Sequence, residues 1–553
     1  MLYQRLGQIL VESGAITREQ LHTAQALQAR TQEELPQILF RRGDTTPAAV
    51  SALLQQQLGI GFSDLENEAF APEAARLLPL SLARKYRVVP IRAAGNALLL
   101  AMADPLELGA ADAAVLAAGM SVRPMLASPG AIDRAISRLY GAASAEQALQ
   151  ELRSRTENPE APNPPPEEAA PAIRLVSGIL EYAVSVNASD VHLEPREDCL
   201  AVRMRIDGRL RQTLTIPPDS KSAVIARVKV MAELDIAEHR IPQDGRSRFR
   251  LGGQEVDLRV STMPTIWGEK AVIRLLHKSP SLLTPEGIGL TGDDLDKFHS
   301  LLALGSGMIL ITGPTGAGKS ATMYTMIDAL NTEEVNLITL EDPVEYNFPR
   351  VNQVPILEKT GMTFAAALRS VLRQDPDIIA VGEIRDAETA DIALGAAITG
   401  HLVLSTLHCG DAPGAVDRLL DMGVAHYRIA AALKGVISQR LVRKLCPHCR
   451  EAHLPESGIL QALALGKDTV CYRGRGCDRC FGTGYRGRTA VFEILSLTPE
   501  LRRAIAGGVS RSQFREMVLE SGFSLLESSL RRLVESGVTS PEEALIALRS
   551  AAD

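Results

Sequence analysis

The sequence predicts a multidomain α/β protein. The chain has 553 residues, enough for roughly three to five domains. Hydrophobic residues make up 46% of it and aromatic residues only 4%, so its cores must be mostly aliphatic. From residue 286 to about 440, apolar strand-like runs alternate with helical segments. This alternation is typical of a doubly wound α/β domain.

Charge and hydropathy exclude several classes of protein. The formal net charge of −7 argues against a chain that wraps nucleic acid, and we expect no nucleic acid partner. Residues 1–5 lack the basic-then-apolar pattern of a signal peptide. Because no run of about eighteen apolar residues is present, no membrane-spanning helix is expected. We therefore expect a cytoplasmic protein, which a partner must hold in place if it works at a membrane.

The amino-terminal part is predicted to hold two small domains and a linker. Residues 1–62 have a helical pattern with a capping box at Thr17 and Gln20. Residues 63–140 alternate helix and strand, and form a small α/β domain. Residues 141–170 are rich in Ala, Glu and Pro, which predicts a semi-extended linker.

Four further regions are predicted in the rest of the chain. Residues 171–285 combine a helix with alternating strands in an α+β domain. Residues 286–440 form the doubly wound domain, and residues 441–490 carry paired cysteines. Residues 491–553 are helical, and the last helix begins after Ser540, which is followed by proline and two glutamates.

The most specific motif is a glycine-rich loop between the apolar run Met308–Ile311 and an expected helix. Its glycines let consecutive N–H groups turn toward one phosphate, and the helix start adds its positive dipole end. Lys319 is expected to reach the outer phosphates of ATP, and Ser320 to hold Mg²⁺. The expected nucleotide-binding residues are Gly313, Pro314, Thr315, Gly316, Ala317, Gly318, Lys319, Ser320 and Ala321.

Two acidic residues follow apolar runs downstream of this loop. Carboxylates at such strand ends face the ligand edge of an open α/β sheet. Glu345 lies after Leu337–Leu340 and is a candidate for polarising an attacking water; the alternative is a solvated acidic turn. Glu383 follows Asp377–Val381 and is a candidate Mg²⁺ ligand or general base.

Histidines and arginines supply further candidates. His401 and His408 frame a short apolar run and are candidates for contacting the γ-phosphate, although a single histidine is more often structural. Arginines could stabilise developing phosphate charge. Two residues of one pair are four positions apart and are expected to share one helix face. The residues of the other pair alternate with apolar strand residues. For each arginine the alternative is an ordinary surface position without a role in catalysis. The two pairs are Arg369 with Arg373, and Arg259 with Arg274.

Four of the seven cysteines form two CxxC pairs. Four thiolates satisfy tetrahedral Zn²⁺, and a closed site of this kind is structural. Cys471 lacks a partner at this spacing. The four expected zinc ligands are Cys446, Cys449, Cys477 and Cys480.

Basic residues outnumber acidic ones around these cysteines. Such a face can bind nucleic acid, an acidic protein or anionic lipid headgroups, and it can also be a plain solvated surface. The scarcity of aromatic residues argues against base stacking. The basic residues are Arg440, Arg443, Lys444, Arg450, Arg473, Arg475, Arg479, Arg486 and Arg488.

Together these motifs resemble those of the secretion ATPases, the hexameric motors of type II secretion and type IV pilus assembly. The resemblance extends from about residue 171 to 500, with the motifs in the family's order. Ser189–Pro195 resembles the start of the family's second N-terminal domain, and Arg240–Arg246 follows it as in the family. Glu341–Glu345, Asp377–Glu383 and Gly400–His408 resemble its aspartate box, Walker B segment and histidine box.

The resemblance implies a RecA-like P-loop core preceded by a PAS-like α+β domain. It also implies a homo-hexamer that hydrolyses ATP with Mg²⁺ and moves an inner-membrane platform protein to add pilin subunits to a fibre. The four arginines would face the nucleotide, and the four cysteines would hold Zn²⁺ in an arm that contacts the platform. The N-terminal domains would bind a membrane-anchoring cytoplasmic partner.

Residues 5–28 resemble the first half of a cyclic di-GMP-binding repeat found on some of these motors. The second half departs from the repeat, because Glu34-Leu35-Pro36 stands where Arg-Leu-Gly would be expected. The carboxylate would repel the phosphates of the ligand, and the proline lacks a backbone donor. This departure counts against cyclic di-GMP binding and leaves a helical docking domain as the alternative.

Three functions stay open at this point. The leading one is an assembly or secretion motor, and the sequence does not choose between a pilus system and a type II secretion system. A pilus-retraction motor is the second, although the family's retraction members lack the cysteine module and the long N-terminal extension. A zinc- and nucleotide-dependent DNA-binding protein is the third, and the net acidity counts against it.

Overall fold

A computed structural model of the protein describes residues 2–31, 35–46, most of 49–71, 73–136 except 106, 139–140, 171–251, 254–276, 284–466 and 469–552. The expected linker 141–170 and Glu34 lie outside the described residues. The chain forms two compact units, residues 1–278 and 279–553. Among the described residues, no helix is both long enough and apolar enough to cross a bilayer.

The first unit begins with short helices and a four-stranded sheet. The capping box is confirmed, since the Thr17 N–H donates to Gln20 Oε1 at 2.7 Å and the Gln20 N–H to Thr17 Oγ1 at 3.1 Å. The sheet order is β1-β4-β3-β2, and β2 and β3 pair antiparallel as a hairpin. These strands are β1 (Gly61–Phe62), β2 (Val88–Ala94), β3 (Ala97–Met102) and β4 (Ser121–Leu126). The helices are Leu2–Glu12, Arg18–Thr31, Leu35–Arg41, Ala74–Leu77, Leu80–Tyr86 and Leu108–Ala118.

The second part of this unit is a six-stranded antiparallel sheet in the order β7-β6-β5-β10-β9-β8. The helices Pro171–Ser185 and Lys221–Met231 share one apolar core with it. This arrangement matches the α+β domain expected for residues 171–285. The strands are β5 (Asp190–Pro195), β6 (Leu200–Ile206), β7 (Arg209–Ile216), β8 (Gln243–Leu251), β9 (Gln254–Thr265) and β10 (Gly268–Leu276).

The second unit is built on a seven-stranded sheet in the order β13-β12-β14-β15-β11-β16-β19. All neighbouring strands pair in parallel except β16 and β19, which are antiparallel. Its strands are β11 (Gly307–Thr312), β12 (Leu337–Glu341), β13 (Asn352–Pro355), β14 (Ile378–Val381), β15 (Leu402–Leu407), β16 (Leu433–Leu445) and β19 (Tyr485–Ser496).

Helices cover this sheet, and two apolar cores pack against it. The central strands are buried along their whole length, because helices shield both faces of a parallel sheet. The predicted α/β class is confirmed. The helices are Pro285–Ile288, Asp293–Leu302, Lys319–Leu330, Phe364–Val371, Ala387–Ile398, Gly414–Asp421, His426–Ala432, Ser457–Ala462, Pro499–Ala506, Arg511–Glu520, Leu526–Glu535 and Pro541–Ala552.

The cysteine-bearing segment is an insertion between β16 and β19, with a two-stranded sheet of β17 (Arg450–His453) and β18 (Cys471–Gly474). The expected boundaries at 440 and 490 therefore fall inside two strands of the large sheet. The insertion also shares an apolar core with the last two helices, including Leu463, Cys471, Leu530 and Ala544. The ranges 441–490 and 491–553 are thus packed together rather than separate.

Candidate nucleotide and metal sites

The glycine-rich loop connects buried β11 to the helix Lys319–Leu330, as the sequence predicts. Three of its glycines have positive φ: 145° at Gly313, 78° at Gly316 and 91° at Gly318. A Cβ on Gly313 would lie 2.6 Å from the backbone oxygen of Gln439 in β16. Glycine is therefore required there by close backbone approach as well as by conformation.

The Lys319 ammonium lies over the loop. Its Nζ donates to the backbone oxygens of Gly313 at 2.8 Å and Pro314 at 3.1 Å, and it lies 3.5 Å from His408 Nδ1. Burial lowers the pKa of Lys319, and the charge of Glu383 partly opposes this effect. An ammonium in this position can meet the outer phosphates of a nucleotide seated in the loop. Ser320, the next residue, is exposed at the helix start.

Glu383 stands just beyond the carboxyl end of β14. One carboxylate oxygen pairs with Arg385 Nη2, and the other lies 3.6 Å from His408 Nε2. His408 itself follows β15, the strand between β14 and β11. Burial and the neighbouring Lys319 lower the pKa of His408 despite Glu383. The carboxyl ends of three adjacent strands thus bring Lys319, Glu383 and His408 together, as expected for a ligand edge.

The acidic segment Glu341–Glu345, which starts at the last residue of β12, is held by buried and partly buried hydrogen bonds. Tyr324, on the helix that follows the loop, donates its hydroxyl to Glu341 Oε2 at 2.6 Å. Glu341 also accepts from Thr339 Oγ1 at 2.6 Å and from Gln353 Nε2 at 2.8 Å. The backbone N–H of Glu345 donates to the Tyr324 hydroxyl at 3.3 Å. The helix carrying Lys319 and the exposed Glu345 are therefore linked through one tyrosine.

His401 does not join this edge. It precedes β15, whereas His408 follows it, so the backbones of the two residues are seven positions, or roughly 23 Å, apart along the strand direction. His401 Nδ1 lies 3.0 Å from the Ala396 backbone oxygen at the end of a helix. The expectation that both histidines contact the γ-phosphate is therefore wrong for His401, which has a structural position. Polar residues at both ends of a strand reach opposite edges of the sheet.

Arg369 and Arg373 also differ from expectation. The helix Phe364–Val371 ends before Arg373, so the two side chains do not share one helix face. Arg373 Nη1 donates to the Arg369 backbone oxygen at 2.8 Å, and Arg369 pairs with Glu388. Both side chains are exposed.

In the first unit, Arg259 and Arg274 belong to a row of charges that crosses the six-stranded sheet. Arg274 pairs in register with Arg259, and Arg259 with Arg246. Arg274 Nε is 3.0 Å from Asp190, and Arg205 Nε is 3.4 Å from the same carboxylate. Burial opposes ionisation of Asp190, but the hydrogen bond from Arg274 and the nearby charges lower its pKa. Like charges in register repel one another, so this row favours an anion.

The four paired cysteines form one compact centre. Their sulfur atoms lie within 4.8 Å of one another, with Cys446–Cys477 at 3.9 Å and both Cys449–Cys480 and Cys477–Cys480 at 3.7 Å. Tetrahedral Zn²⁺ with Zn–S bonds of about 2.3 Å requires sulfur separations of about 3.8 Å, so the group fits this ion. Cys471 lies outside the group.

Backbone donors favour a thiolate within this centre. The N–H groups of Cys477 and Gly484 each lie 3.2 Å from Cys480 Sγ. Burial opposes ionisation, but these donors lower the pKa of Cys480 to about 7. His448 contacts Arg479 rather than the sulfur atoms. The donor set is therefore four sulfur atoms, as predicted.

Two of the arginines assigned to the basic face are buried. Arg440 is 3% exposed and donates to backbone oxygens of Gln439 and Gly410. Arg443 pairs with Glu543 at 2.5 Å and lies over the Tyr485 ring. The basic surface is therefore smaller than the sequence indicates. Alternation along a strand does not reveal which charged side chain faces the core.

The comparisons with known proteins agree with this geometry. The model of the family "Type II/IV secretion system protein" matches residues 166–546. The chain belongs to this family. It is a P-loop ATP hydrolase of the secretion ATPase superfamily, as the resemblance implied. A second model, the MshEN domain, matches residues 58–146. That match covers the small α/β domain predicted for residues 63–140 and begins after the half repeat at residues 5–28.

Several curated relatives align with most of this secretion ATPase. It is 42% identical to the type IV pilus assembly ATPase PilB of Thermus thermophilus over 98% of this chain, and it spans 65% of that relative's length. It is 39% identical to PilB of Myxococcus xanthus over 98% of both chains. Identity to a putative type II secretion system protein E of Escherichia coli is 46%, over 68% of this chain and 77% of the relative.

Solved structures support the fold. The ATPase DotB of Legionella pneumophila superposes with a TM-score of 0.52 at 21% identity, covering 70% of this chain and 98% of DotB. DotB of Yersinia pseudotuberculosis gives a TM-score of 0.51 at 23% identity, covering 71% and 96%. At this identity the likeness concerns the fold alone.

Four functional candidates escaped the sequence reasoning: Tyr324, Arg385, Gln439 and the buried role of Arg440. Tyr324 and Gln439 lie inside runs that look apolar, and their partners are distant in sequence. A signal was present for Gln439 and Arg440, because these two long polar residues stand in a short stretch between the apolar pairs Val436-Ile437 and Leu441-Val442. Buried polar side chains need partners, so such an interruption indicates a network.

Proposed function

We propose that this secretion ATPase is a hexameric motor that uses ATP hydrolysis to assemble pilin or pseudopilin fibres at an inner-membrane platform. The observation that carries the proposal is the convergence of Lys319, Glu383 and His408 beside the glycine-rich loop. Assembly of type IV pili is the first candidate, because the PilB relative of Thermus thermophilus is 42% identical over 98% of this chain. Type II secretion is the second, favoured by the 46% identity to the Escherichia coli relative.

The chemistry follows from the positions of the side chains. The loop N–H groups and Lys319 bind the β- and γ-phosphates and orient the terminal phosphorus. Ser320 and Glu383 would hold Mg²⁺, which offsets phosphate charge when bound. Glu345 orients and polarises the attacking water, with its backbone held by Tyr324. His408, neutral because burial and Lys319 lower its pKa, donates its ring N–H to an oxygen of the γ-phosphate.

Charge on the leaving phosphate is balanced by arginines. Arg259 and Arg274 lie in the other unit, on a sheet row that favours an anion, and we assign them to the nucleotide of a neighbouring subunit. Arg369 and Arg373 are exposed, as an intersubunit role requires. In a closed ring every nucleotide site is complete, because each site then takes its loop from one subunit and its arginines from the neighbouring subunit.

The tetracysteine centre would hold Zn²⁺ as a structural ion, and its four sulfur ligands leave no open position for catalysis. The insertion carrying it is the proposed contact with the platform protein, and the N-terminal domains are the proposed contact with a membrane-anchoring partner. We expect no nucleic acid partner, because Arg440 and Arg443 are withdrawn from the surface. The half repeat in 1–62 does not support cyclic di-GMP binding.

The proposal is tested with Lys319→Ala, which removes the ammonium beside the γ-phosphate. ATP turnover should fall to background while the zinc content stays near one per chain. Lys359→Ala, at an exposed site in the same unit, is the matched control and should keep wild-type turnover. Normal hydrolysis by Lys319→Ala would remove the loop from the mechanism.

A mixing experiment tests the ring. Arg274→Ala subunits and Lys319→Ala subunits are each inactive alone if both groups are required. In a mixed ring, a subunit with an intact loop receives Arg274 from a Lys319→Ala neighbour, so turnover reappears. Mixed rings that stay inactive, while mixtures of each variant with wild type remain active, would contradict the assignment of Arg274 to the neighbouring site.

A further inference from the structure

Strand β16 passes directly against the glycine-rich loop. Gln439 on this strand is 1% exposed, and its Nε2 donates to the Ala317 backbone oxygen at 2.8 Å. Its Oε1 accepts from Thr322 Oγ1 at 2.6 Å. One side chain therefore joins the loop to the first turn of the following helix. A Cβ on Gly318 would lie 3.1 Å from Gln439 Nε2, so the contact leaves little space for movement.

The next residue extends the contact in two directions. Arg440 donates to the backbone oxygen of Gly410, in the segment that follows His408. The charge of Arg440 also faces Glu493 on β19. Glu493 accepts from the Ala412 N–H at 2.6 Å and from the Leu526 N–H at 3.2 Å, where the helix Leu526–Glu535 begins. The underside of the loop is thus connected to a C-terminal helix that shares its core with the cysteine insertion.

The far end of β16 enters the tetracysteine centre. Arg443 forms an ion pair with Glu543, and the Leu445 N–H donates to the Val538 backbone oxygen at 2.8 Å. The next N–H, of Cys446, donates to the Gly484 oxygen at 2.8 Å. From Gln439 to Leu445, the last residue of β16, the strand extends about 20 Å at roughly 3.3 Å per residue. β16 pairs with β11 as far as Ser438 and with β19 from Gly435 to Leu445, so the stretch beyond Gln439 stays hydrogen-bonded to β19 up to the insertion.

We infer that Gln439 is a positioning residue of the nucleotide site, and that β16 transmits the state of the loop to the tetracysteine insertion. This inference rests on one part of the proposed function, namely that the glycine-rich loop binds nucleotide, and does not require hydrolysis. Phosphate that enters the loop either moves Ala317 or holds it more firmly in its present position. The buried Gln439 amide follows Ala317, because breaking the hydrogen bond between them would leave the Gln439 amide and the Ala317 oxygen buried and unpaired. Because the stretch from Gln439 to Leu445 stays paired with β19, the movement is passed along this strand toward the insertion.

The test uses the full-length chain and compares Gln439→Leu with Gln461→Leu. Leucine keeps the volume of Gln439 and removes both hydrogen bonds, whereas Gln461 is exposed on the insertion. Three quantities are measured: the Kd for a non-hydrolysable Mg-ATP analogue, the zinc content, and amide hydrogen exchange in residues 445–466 and 469–485 with and without the analogue. Binding and exchange need no turnover, so failure of hydrolysis in the wild type does not affect the result.

In the wild type and in Gln461→Leu, the analogue should slow or speed exchange in the insertion. In Gln439→Leu, Kd should rise about tenfold, zinc should stay at the wild-type level, and the exchange response of the insertion should disappear at saturating analogue. Thr322→Val removes only one of the two bonds, and should give an intermediate Kd with a weakened response. This variant keeps the test informative if Gln439→Leu folds poorly.

Two results would overturn the inference. One is an unchanged exchange response of the insertion in both Gln439→Leu and Thr322→Val at saturating analogue. The other is a wild-type protein in which the analogue binds and protects the loop while exchange in the insertion does not change. A role limited to folding would lower the zinc content and thermal stability without altering the exchange response.

Discussion

Tyr324→Phe removes a single oxygen from the link between the phosphate loop and the acidic segment. Tyr324 is 8% exposed and Glu341 is 3% exposed, so the hydrogen bond between them is shielded from water. Burial and the nearby Glu341 raise the pKa of Tyr324 above its ordinary value of 10, so the hydroxyl stays protonated as the donor. A hydrogen bond to a charged group stabilises by about 1.5–3 kcal/mol. Glu341 keeps Thr339 and Gln353, so we expect a loss of about 2 kcal/mol.

For a unit of this size, that loss should lower the melting temperature by roughly 4–8 °C. The same change removes the acceptor of the Glu345 N–H, so kcat should fall roughly tenfold to hundredfold with little change in KM. Scanning calorimetry and steady-state ATP hydrolysis measure the two effects. Tyr427→Phe, at a residue 68% exposed, is the control. Equal melting temperatures and equal kcat in Tyr324→Phe and wild type would refute this account of how the acidic segment is held.

Three further changes test other parts of the molecule. Cys446→Ser should lower the zinc content from about one per chain, measured by metal analysis. Full zinc occupancy in a variant in which all four paired cysteines are replaced would contradict their assignment as zinc ligands. Glu543→Gln leaves the buried charge of Arg443 without its partner and should cost about 3 kcal/mol, seen as faster amide exchange in the last helix. The pKa of His408 is lowered in the folded state, so the unfolded chain binds the proton more readily than the folded chain. The contribution of His408 to the free energy of unfolding is therefore complete above pH 6.5 and is lost as the pH falls below this value. A His408→Asn variant should lack this part of the pH dependence of unfolding, and an identical profile would disprove it.

The nucleotide edge was predictable because its signals are local. A strand, a glycine-rich turn and a helix start are adjacent in sequence, and they fix the positions of Gly313 to Ser320 without any tertiary information. The same holds for the two CxxC pairs, whose spacing suits one metal ion. Glu383 and His408 were predictable in a weaker sense, since both follow apolar runs that had to be strands of one parallel sheet.

Other features depend on partners far along the chain. His401 and His408 have similar sequence surroundings, and only the direction of β15 places them at opposite edges. Arg373 was expected on a helix that ends two residues earlier, because helix ends are set by local contacts that periodicity does not show. Gln439 meets Ala317 and Thr322 across more than one hundred residues, and Arg443 meets Glu543 across a similar distance.

The position of the cysteine insertion has an evolutionary consequence. Leu445 and Tyr485 are cross-strand neighbours, so a short turn between them would preserve the seven-stranded sheet. The insertion nevertheless covers apolar side chains of the helices Leu526–Glu535 and Pro541–Ala552, which excision would expose to water. A lineage that discards one segment must therefore discard or rebuild the other. Two stretches separated in the gene are therefore expected to be kept or lost together.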